Sequence, residues 1–253
     1  MNQTLTSDQM DEVIRPAMEE DLGTGDITTR SIVMEDRILE AEIVARESMV
    51  LCGTDIFKRV FQTLDDETVF PELQPKDGTR LSEGQIFLKV KARSIVLLEG
   101  ERTALNFLQR LCGIATLTRK FVEKAGPVTV LDTRKTTPGL RALEKYAVSC
   151  GGGTNHRFGL FDGILIKDNH IRVAGGITQA IERVRKNYPG SHDIEVETGN
   201  LDQVQEALMA GADVIMLDNM NSVEINEAVK LIAKRAKIEV SGSINLERAG
   251  ELS

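Results

Sequence analysis

After Gly126 the chain settles into an alternation of strand-like and helix-like segments, and no other feature limits the fold so strongly. Short apolar runs of strand type fall at 128–132, 163–167, 193–197, 213–218 and 237–240. Apolar residues in helical spacing fill the intervals at 139–149, 177–187, 201–210 and 223–235. The last three strand segments begin about twenty to twenty-four residues apart, the length of one β/α unit. Such an alternation predicts a parallel sheet, open or closed into a barrel, because a parallel return needs a crossover connection. Each predicted strand ends in polar residues: Asp132, Thr133, Arg134 and Lys135; Lys167 and Asp168; Glu197; Asp218 and Asn219; Ser241 and Gly242. Five strands delivering such groups to one rim are what a barrel with a reactive C-terminal face requires.

Charge is distributed unevenly along this pattern. Between 131 and 172, Arg134, Lys135, Arg141, Lys145, Arg157, Lys167 and Arg172 outnumber Asp132, Glu144, Asp162 and Asp168, although the whole chain is net −8. Solvated surface charge is one reading. A pocket for a small polyanion is the other, because Arg134, Lys135 and Lys167 follow strand ends, where α/β folds bind ligands. With Arg157 and His156 they offer forked and point-like donors for carboxylate and phosphate oxygens. Glu197 and Asp218 could hold Mg²⁺, steady a cationic transition state, or serve only as salt-bridge partners of a nearby lysine. The glycine run 151–153 could present N–H groups to an anion or act as a flexible loop. Ser241 and Gly242 allow a phosphate-binding turn or a plain N-cap.

Composition removes several classes of function. A pI near 5.1, no Trp and two Tyr argue against a nucleic-acid surface. Cys52, Cys112 and Cys150 form no metal-binding spacing and suggest a reducing compartment. No leader pattern opens the chain, and no apolar run approaches the roughly eighteen residues that span a bilayer, so no membrane partner is expected and cytoplasm is the default. The first half reads as a helix over 7–20 capped by Ser7, a glycine break, and a small, largely antiparallel sheet over 37–91 with a helix at 57–64. A long helix over 95–124, broken near Gly113, places the domain boundary, giving 1–112 and 113–253.

Several stretches carry a family resemblance: EEDLGTGDIT, ERTALNFLQRLCGIAT, DTRKTTPGLRALEKYAV, GGGTNHRFGLFDGILIKDNHI and EVETGNLDQVQEAL with AGADVIMLDNM. They resemble the quinolinate phosphoribosyltransferases, also called nicotinate-nucleotide pyrophosphorylases, from about residue 10 to the end. The resemblance implies an N-terminal α/β sandwich and an incomplete, open parallel α/β barrel. It also implies a homodimer, or a higher homo-oligomer built from it, whose active sites are shared between subunits. The implied reaction joins quinolinate and phosphoribosyl pyrophosphate (PRPP), giving nicotinate mononucleotide, pyrophosphate and CO2, with Mg²⁺ and no organic cofactor.

By the same resemblance, Arg102 is lent to the neighbouring subunit's quinolinate site. Thr133, Arg134 and Lys135 contact quinolinate and PRPP, and His156 and Arg157 face the pyridine dicarboxylate. Lys167 lies near both substrates, Glu197 and Asp218 near the ribose and its metal, and Ser241, Gly242 and Ser243 form a phosphate turn. Catalysis is expected to rest on Lys135, Lys167, Glu197 and Asp218. The turn reads SGS where the family usually has two adjacent glycines, and the family normally continues beyond residue 253 through one more strand and a second phosphate loop. The alternatives are a related pyrophosphorylase of the molybdenum-transport type acting on another base, and a PRPP-binding protein without turnover.

Overall fold

The computed structural model describes residues 5–71, 74–190 and 192–252. The chain divides into two compact units. One runs to His156 and takes in the last residues from Ala249; the other is Arg157–Arg248.

In the first unit, α1 (Ser7–Leu22) is capped by Thr6 rather than Ser7. The Thr6 hydroxyl accepts from the Gln9 N–H, and the Gln9 side chain accepts from the Thr6 N–H. α2 (Ile27–Ile32) stands where the sequence suggests only a glycine break. Asp26 starts it by accepting from the N–H groups of Thr28 and Thr29. Four strands and a helix follow: β1 (Ile38–Val44), β2 (Met49–Val50), α3 (Thr54–Leu64), β3 (Arg80–Leu81) and β4 (Ile86–Arg93). They form two antiparallel pairs, β1 with β4 and β2 with β3, as the turn-rich sequence of this region leads one to expect.

α4 (Ser94–Ala125) is 32 residues long and passes Gly113 without the predicted break. A glycine inside a helix costs only about 1 kcal/mol relative to alanine. The helix buries Ala104, Phe107, Leu108, Leu111, Cys112 and Ala115 in the core, which outweighs that cost. Gly100 is a different case, since a Cβ there would lie 2.8 Å from the Phe61 ring of α3. α5 (Arg141–Cys150) adds Leu143 and Ala147 to the same core.

The second unit holds β5 (Ile164–Ile166), α6 (Asp168–Ala174), α7 (Ile177–Asn187), β6 (Ile194–Thr198), α8 (Leu201–Met209), β7 (Val214–Asp218), α9 (Ser222–Ile232) and β8 (Lys237–Ser241); α10 (Leu246–Glu251) follows. The strands pair in parallel in the order β5, β6, β7, β8, an open barrel of four strands. Ile194, Val196, Ile215 and Leu217 are buried on one face and Glu195 and Met216 on the other, as parallel strands covered on both faces require. The fifth predicted strand, 128–132, is not part of this sheet. It belongs to the first unit and makes one parallel bridge there, between Leu131 and Thr154. Among the described residues no helix is long and apolar enough to cross a membrane.

Candidate active site

The C-terminal ends of β5 to β8 carry the polar residues that the sequence singles out in the second unit. Register sets Ile166 opposite Val196, so Lys167 and Glu197 come next along their chains. The Lys167 Nζ donates to Glu197 Oε2 at 2.6 Å, a charge-assisted bond whose carboxylate is 18% exposed and whose ammonium is 43% exposed. Of the three readings for Glu197, the salt bridge to a nearby lysine is thus present. Asp218 ends β7 opposite Ser241, which ends β8, and accepts from the Asn219 side chain at 2.7 Å. Arg157 donates to the Gly163 carbonyl at 3.0 Å.

The Ser241–Ser243 segment is a backbone turn, and the N-cap reading fails there. α10 starts at Leu246, and the residue accepting from its first turn is Asn245, from Arg248 N–H at 2.8 Å. Gly242 has φ +95°, and a Cβ on it would sit 2.2 Å from Asn219 Oδ1 and 2.7 Å from the Asn219 nitrogen. No other residue fits there. Ser243 has φ +52°, so the serine that replaces the family's second glycine occupies left-handed backbone, at a cost of roughly 1–2 kcal/mol.

Glu197 and Asp218 offer hard oxygens on neighbouring strands. One or two carboxylates, completed by water and substrate phosphates, suit Mg²⁺. Lys167 engages one oxygen of Glu197 and Asn219 one oxygen of Asp218, and neither carboxylate is committed to a full cage. The residues fit the ion.

The first unit holds a second group, organised by an ion pair that sequence reasoning assigned elsewhere. Lys145, grouped by charge with the polyanion-facing cations, has its side chain 1% exposed. Its Nζ donates to Asp132 Oδ1 at 2.5 Å and to the His156 carbonyl at 2.9 Å. Asp132 also accepts from the His156 N–H at 2.9 Å and from the Asn155 side chain at 2.6 Å. His156 is thereby gripped by its own backbone on both sides. Nothing in the spacing of LEKY flagged Lys145 as buried, because a lysine inside a charged stretch reads as surface.

The loop bearing Thr133, Arg134 and Lys135 is pinned in the same unit. Glu144 accepts from Arg110 of α4 at 2.5 Å and from the Thr137 N–H at 3.2 Å. Burial opposes its ionisation, but the Arg110 and Thr137 hydrogen bonds prevail and hold its carboxyl below the usual range. Arg141 donates to the Thr136 hydroxyl at 3.0 Å and to the Arg134 carbonyl at 3.4 Å. Within this frame the Arg134 Nε is shut off from solvent with no hydrogen-bond partner among the described residues. Lys135 and Arg102 are exposed. The structure therefore gathers Asp132, Arg134 and His156 in one framework, and Lys167 with Glu197 in another.

The glycines 151–153 fit neither expectation made for them. Their N–H groups donate to the carbonyls of Ala147, Ser149 and Val148 and so finish α5. A Cβ on Gly151 would lie 2.6 Å from the Ala115 carbonyl of α4. They are a close-packed helix end, with no N–H left for an anion.

Two family models cover nearly all of the chain. The quinolinate phosphoribosyl transferase N-terminal domain matches residues 26–112, and the C-terminal domain matches residues 114–253. A probable carboxylating nicotinate-nucleotide pyrophosphorylase of Bacillus subtilis is 46% identical over 94% of this chain and 83% of its own. The chloroplastic carboxylating enzyme of Arabidopsis thaliana is 40% identical over 93% of this chain and 73% of its own. Among solved structures, NadC from Streptococcus pyogenes superposes with a TM-score of 0.94 at 43% identity, covering 98% of this chain and 88% of that one. Motifs, fold and relatives agree, and the chain belongs to the quinolinate phosphoribosyltransferase family.

Proposed function

We propose that this chain transfers the phosphoribosyl group of PRPP to quinolinate and decarboxylates the product, giving nicotinate mononucleotide, pyrophosphate and CO2 for NAD biosynthesis. Family membership carries the reading. Neither the molybdenum-transport type of pyrophosphorylase nor a PRPP-binding protein without turnover is favoured by it.

The chemistry asks little beyond positioned charge. Quinolinate is a dianion and PRPP is more highly charged, so cations must offset their repulsion. Arg134, Lys135, His156 and Arg157 take the dicarboxylate, and the buried, unpartnered Nε of Arg134 supports this, since a desolvated donor lacking an acceptor is costly until a ligand supplies one. Thr133 and the Ser241–Ser243 turn bind phosphoryl oxygens. Glu197 and Asp218 hold the ribose, and Mg²⁺ with them would neutralise the departing pyrophosphate. As the C1–O bond breaks, positive charge grows on the sugar and the Glu197 carboxylate stabilises it. Attack by the ring nitrogen forms a pyridinium. Its positive charge stabilises the electron pair left on the adjacent ring carbon when the carboxylate departs as CO2, and a proton then completes that carbon.

The deciding experiment follows labelled CO2 from carboxyl-labelled quinolinate. Release should require both PRPP and Mg²⁺, and release independent of PRPP would reject the reading. Arg134→Lys tests the dicarboxylate site, because it keeps the charge and loses the planar fork. The quinolinate KM should rise about tenfold, near 1.4 kcal/mol, and the PRPP KM by clearly less. An unaltered quinolinate KM would remove Arg134 from the pocket.

We also propose a cytoplasmic homodimer in which Arg102 serves the partner's site. Arg102→Ala and Glu197→Ala proteins should each be nearly inactive. After subunit exchange of an equal mixture, half the dimers are mixed and each has one intact site, so activity should return to about a quarter of wild type. Confirmed exchange without recovery would mean that Arg102 does not act across subunits.

A further inference from the structure

Cys52, Asp77 and Cys150 bring two thiols and a carboxylate within 4.8 Å of one another, in a part of the first unit that the transferase chemistry does not use. A metal is the first thought, and the hydrogen bonds of Asp77 exclude it. One oxygen accepts from the Gly53 N–H at 2.7 Å and the Tyr146 hydroxyl at 2.8 Å. The other accepts from the Thr54 hydroxyl at 2.6 Å and the Thr54 N–H at 3.3 Å. All four acceptor positions of that carboxylate are occupied in starting α3 and tethering α5. What remains is the pair of sulfurs.

The three cysteines differ in ways that assign roles. Cys112 is buried and bound to the Cys52 backbone, accepting from its N–H and donating to its carbonyl, each at 3.3 Å. Burial pushes its thiol up to about 11. Cys52 is fully buried, whereas Cys150, the last residue of α5, is only half-buried. The Cys52 thiol donates toward Cys150, and this hydrogen bond, opposed by burial, lowers the Cys150 thiol from its ordinary range. The same contact, with burial, raises Cys52. A half-buried cysteine whose thiol is drawn below its ordinary range thus sits against a buried one whose thiol is pushed above it.

We propose that Cys52 and Cys150 are a reversible redox pair, in which a peroxide oxidises Cys150 and Cys52 closes an internal disulfide between the end of α5 and the start of α3. The Cys150 thiolate attacks one peroxide oxygen and the O–O bond breaks. The departing hydroxide takes a proton and leaves as water, and Cys150 becomes a sulfenic acid. Cys52 gives up its proton and attacks the Cys150 sulfur. The S–O bond breaks, a second water leaves, and the disulfide has formed. Two thiols have lost two electrons and the peroxide has gained them. A thiol reductant reverses the step by exchange.

Mass mapping of the intact folded protein tests this without any assay of turnover, so the transferase reading can stand or fall separately. Trypsin places the three cysteines on different peptides, 47–58, 111–119 and 146–157. After stoichiometric hydrogen peroxide, 47–58 and 146–157 should appear joined, with two hydrogens lost, while 111–119 keeps a free thiol; dithiothreitol should restore all three. In Cys52→Ala, Cys150 should progress to sulfinic acid, because nothing resolves the sulfenic acid. Linkage through 111–119, or sulfinic acid on Cys150 in the wild-type chain with Cys52 still reduced, would overturn the proposal.

Discussion

Glu197→Gln should lower kcat by roughly 10² to 10³-fold while the quinolinate KM moves little. The substitution keeps shape and hydrogen-bonding capacity and removes one negative charge. That charge is held at the end of β6 by the 2.6 Å contact with Lys167. A carboxylate so fixed costs no reorganisation when the sugar becomes cationic, which is where electrostatic catalysis gains most. Lys167→Met separates this role from a salt bridge alone. If Glu197 matters only as the partner of Lys167, the two single variants and the double variant should lose equal activity. If Glu197 acts on the ribose, Glu197→Gln should retain its deficit in the Lys167→Met background. Steady-state kinetics on the four proteins decide the matter, and an unchanged kcat in Glu197→Gln would confine the residue to structure.

The second large effect is on stability. Lys145→Met should cost about 3–5 kcal/mol, because it leaves the Asp132 carboxylate buried without its cation. For a chain of this size each kcal/mol moves Tm by roughly 2–4 °C, so thermal unfolding should shift down by roughly 6–20 °C. Asp132→Asn combined with Lys145→Met should be milder than Lys145→Met alone, since no unpaired charge is then buried. A shift below about 3 °C in the single variant would mean that water reaches the Asp132 carboxylate once the amine is gone.

Legibility in the sequence followed how strongly each segment's own pattern was tied to burial. α7 and the strands β6 and β7 were readable within a residue or two, because their apolar spacing is the burial itself. α6 was missed since none of its seven residues is buried, which leaves no apolar stripe to detect. Residues 128–132 have the composition of a strand, yet composition reports a fit to a half-buried extended chain and not which neighbour will pair with it. The cations and carboxylates of the candidate site were singled out by charge and by motif. What charge could not convey was which cations face inward: Lys145 is in the core, and Lys135 is exposed. The glycine run was misread for a related reason. Its requirement comes from α4, more than thirty residues away in sequence, through the Ala115 carbonyl.

The stretch from Cys150 to His156 also bears on how the protein can be engineered or can diverge. Gly151, Gly152 and Gly153 bond back to α5. Thr154 donates to Val130 and accepts from Asp132, Asn155 bonds to Ser149 and Asp132, and His156 is held at both its N–H and its carbonyl. Every residue between the helix end and the histidine is therefore committed, and the number of residues is as constrained as their kinds. An insertion or deletion of one residue here would break several bonds at once and carry His156 out of register with Asp132. The turn at Gly84 is tied by fewer partners, Ala45 and its own neighbours Ser82 and Gln85, and opens on space where a side chain would meet nothing within 4 Å. A reporter loop or affinity tag belongs there, and length variation among natural homologues should collect at positions of that kind and be missing from 151–155.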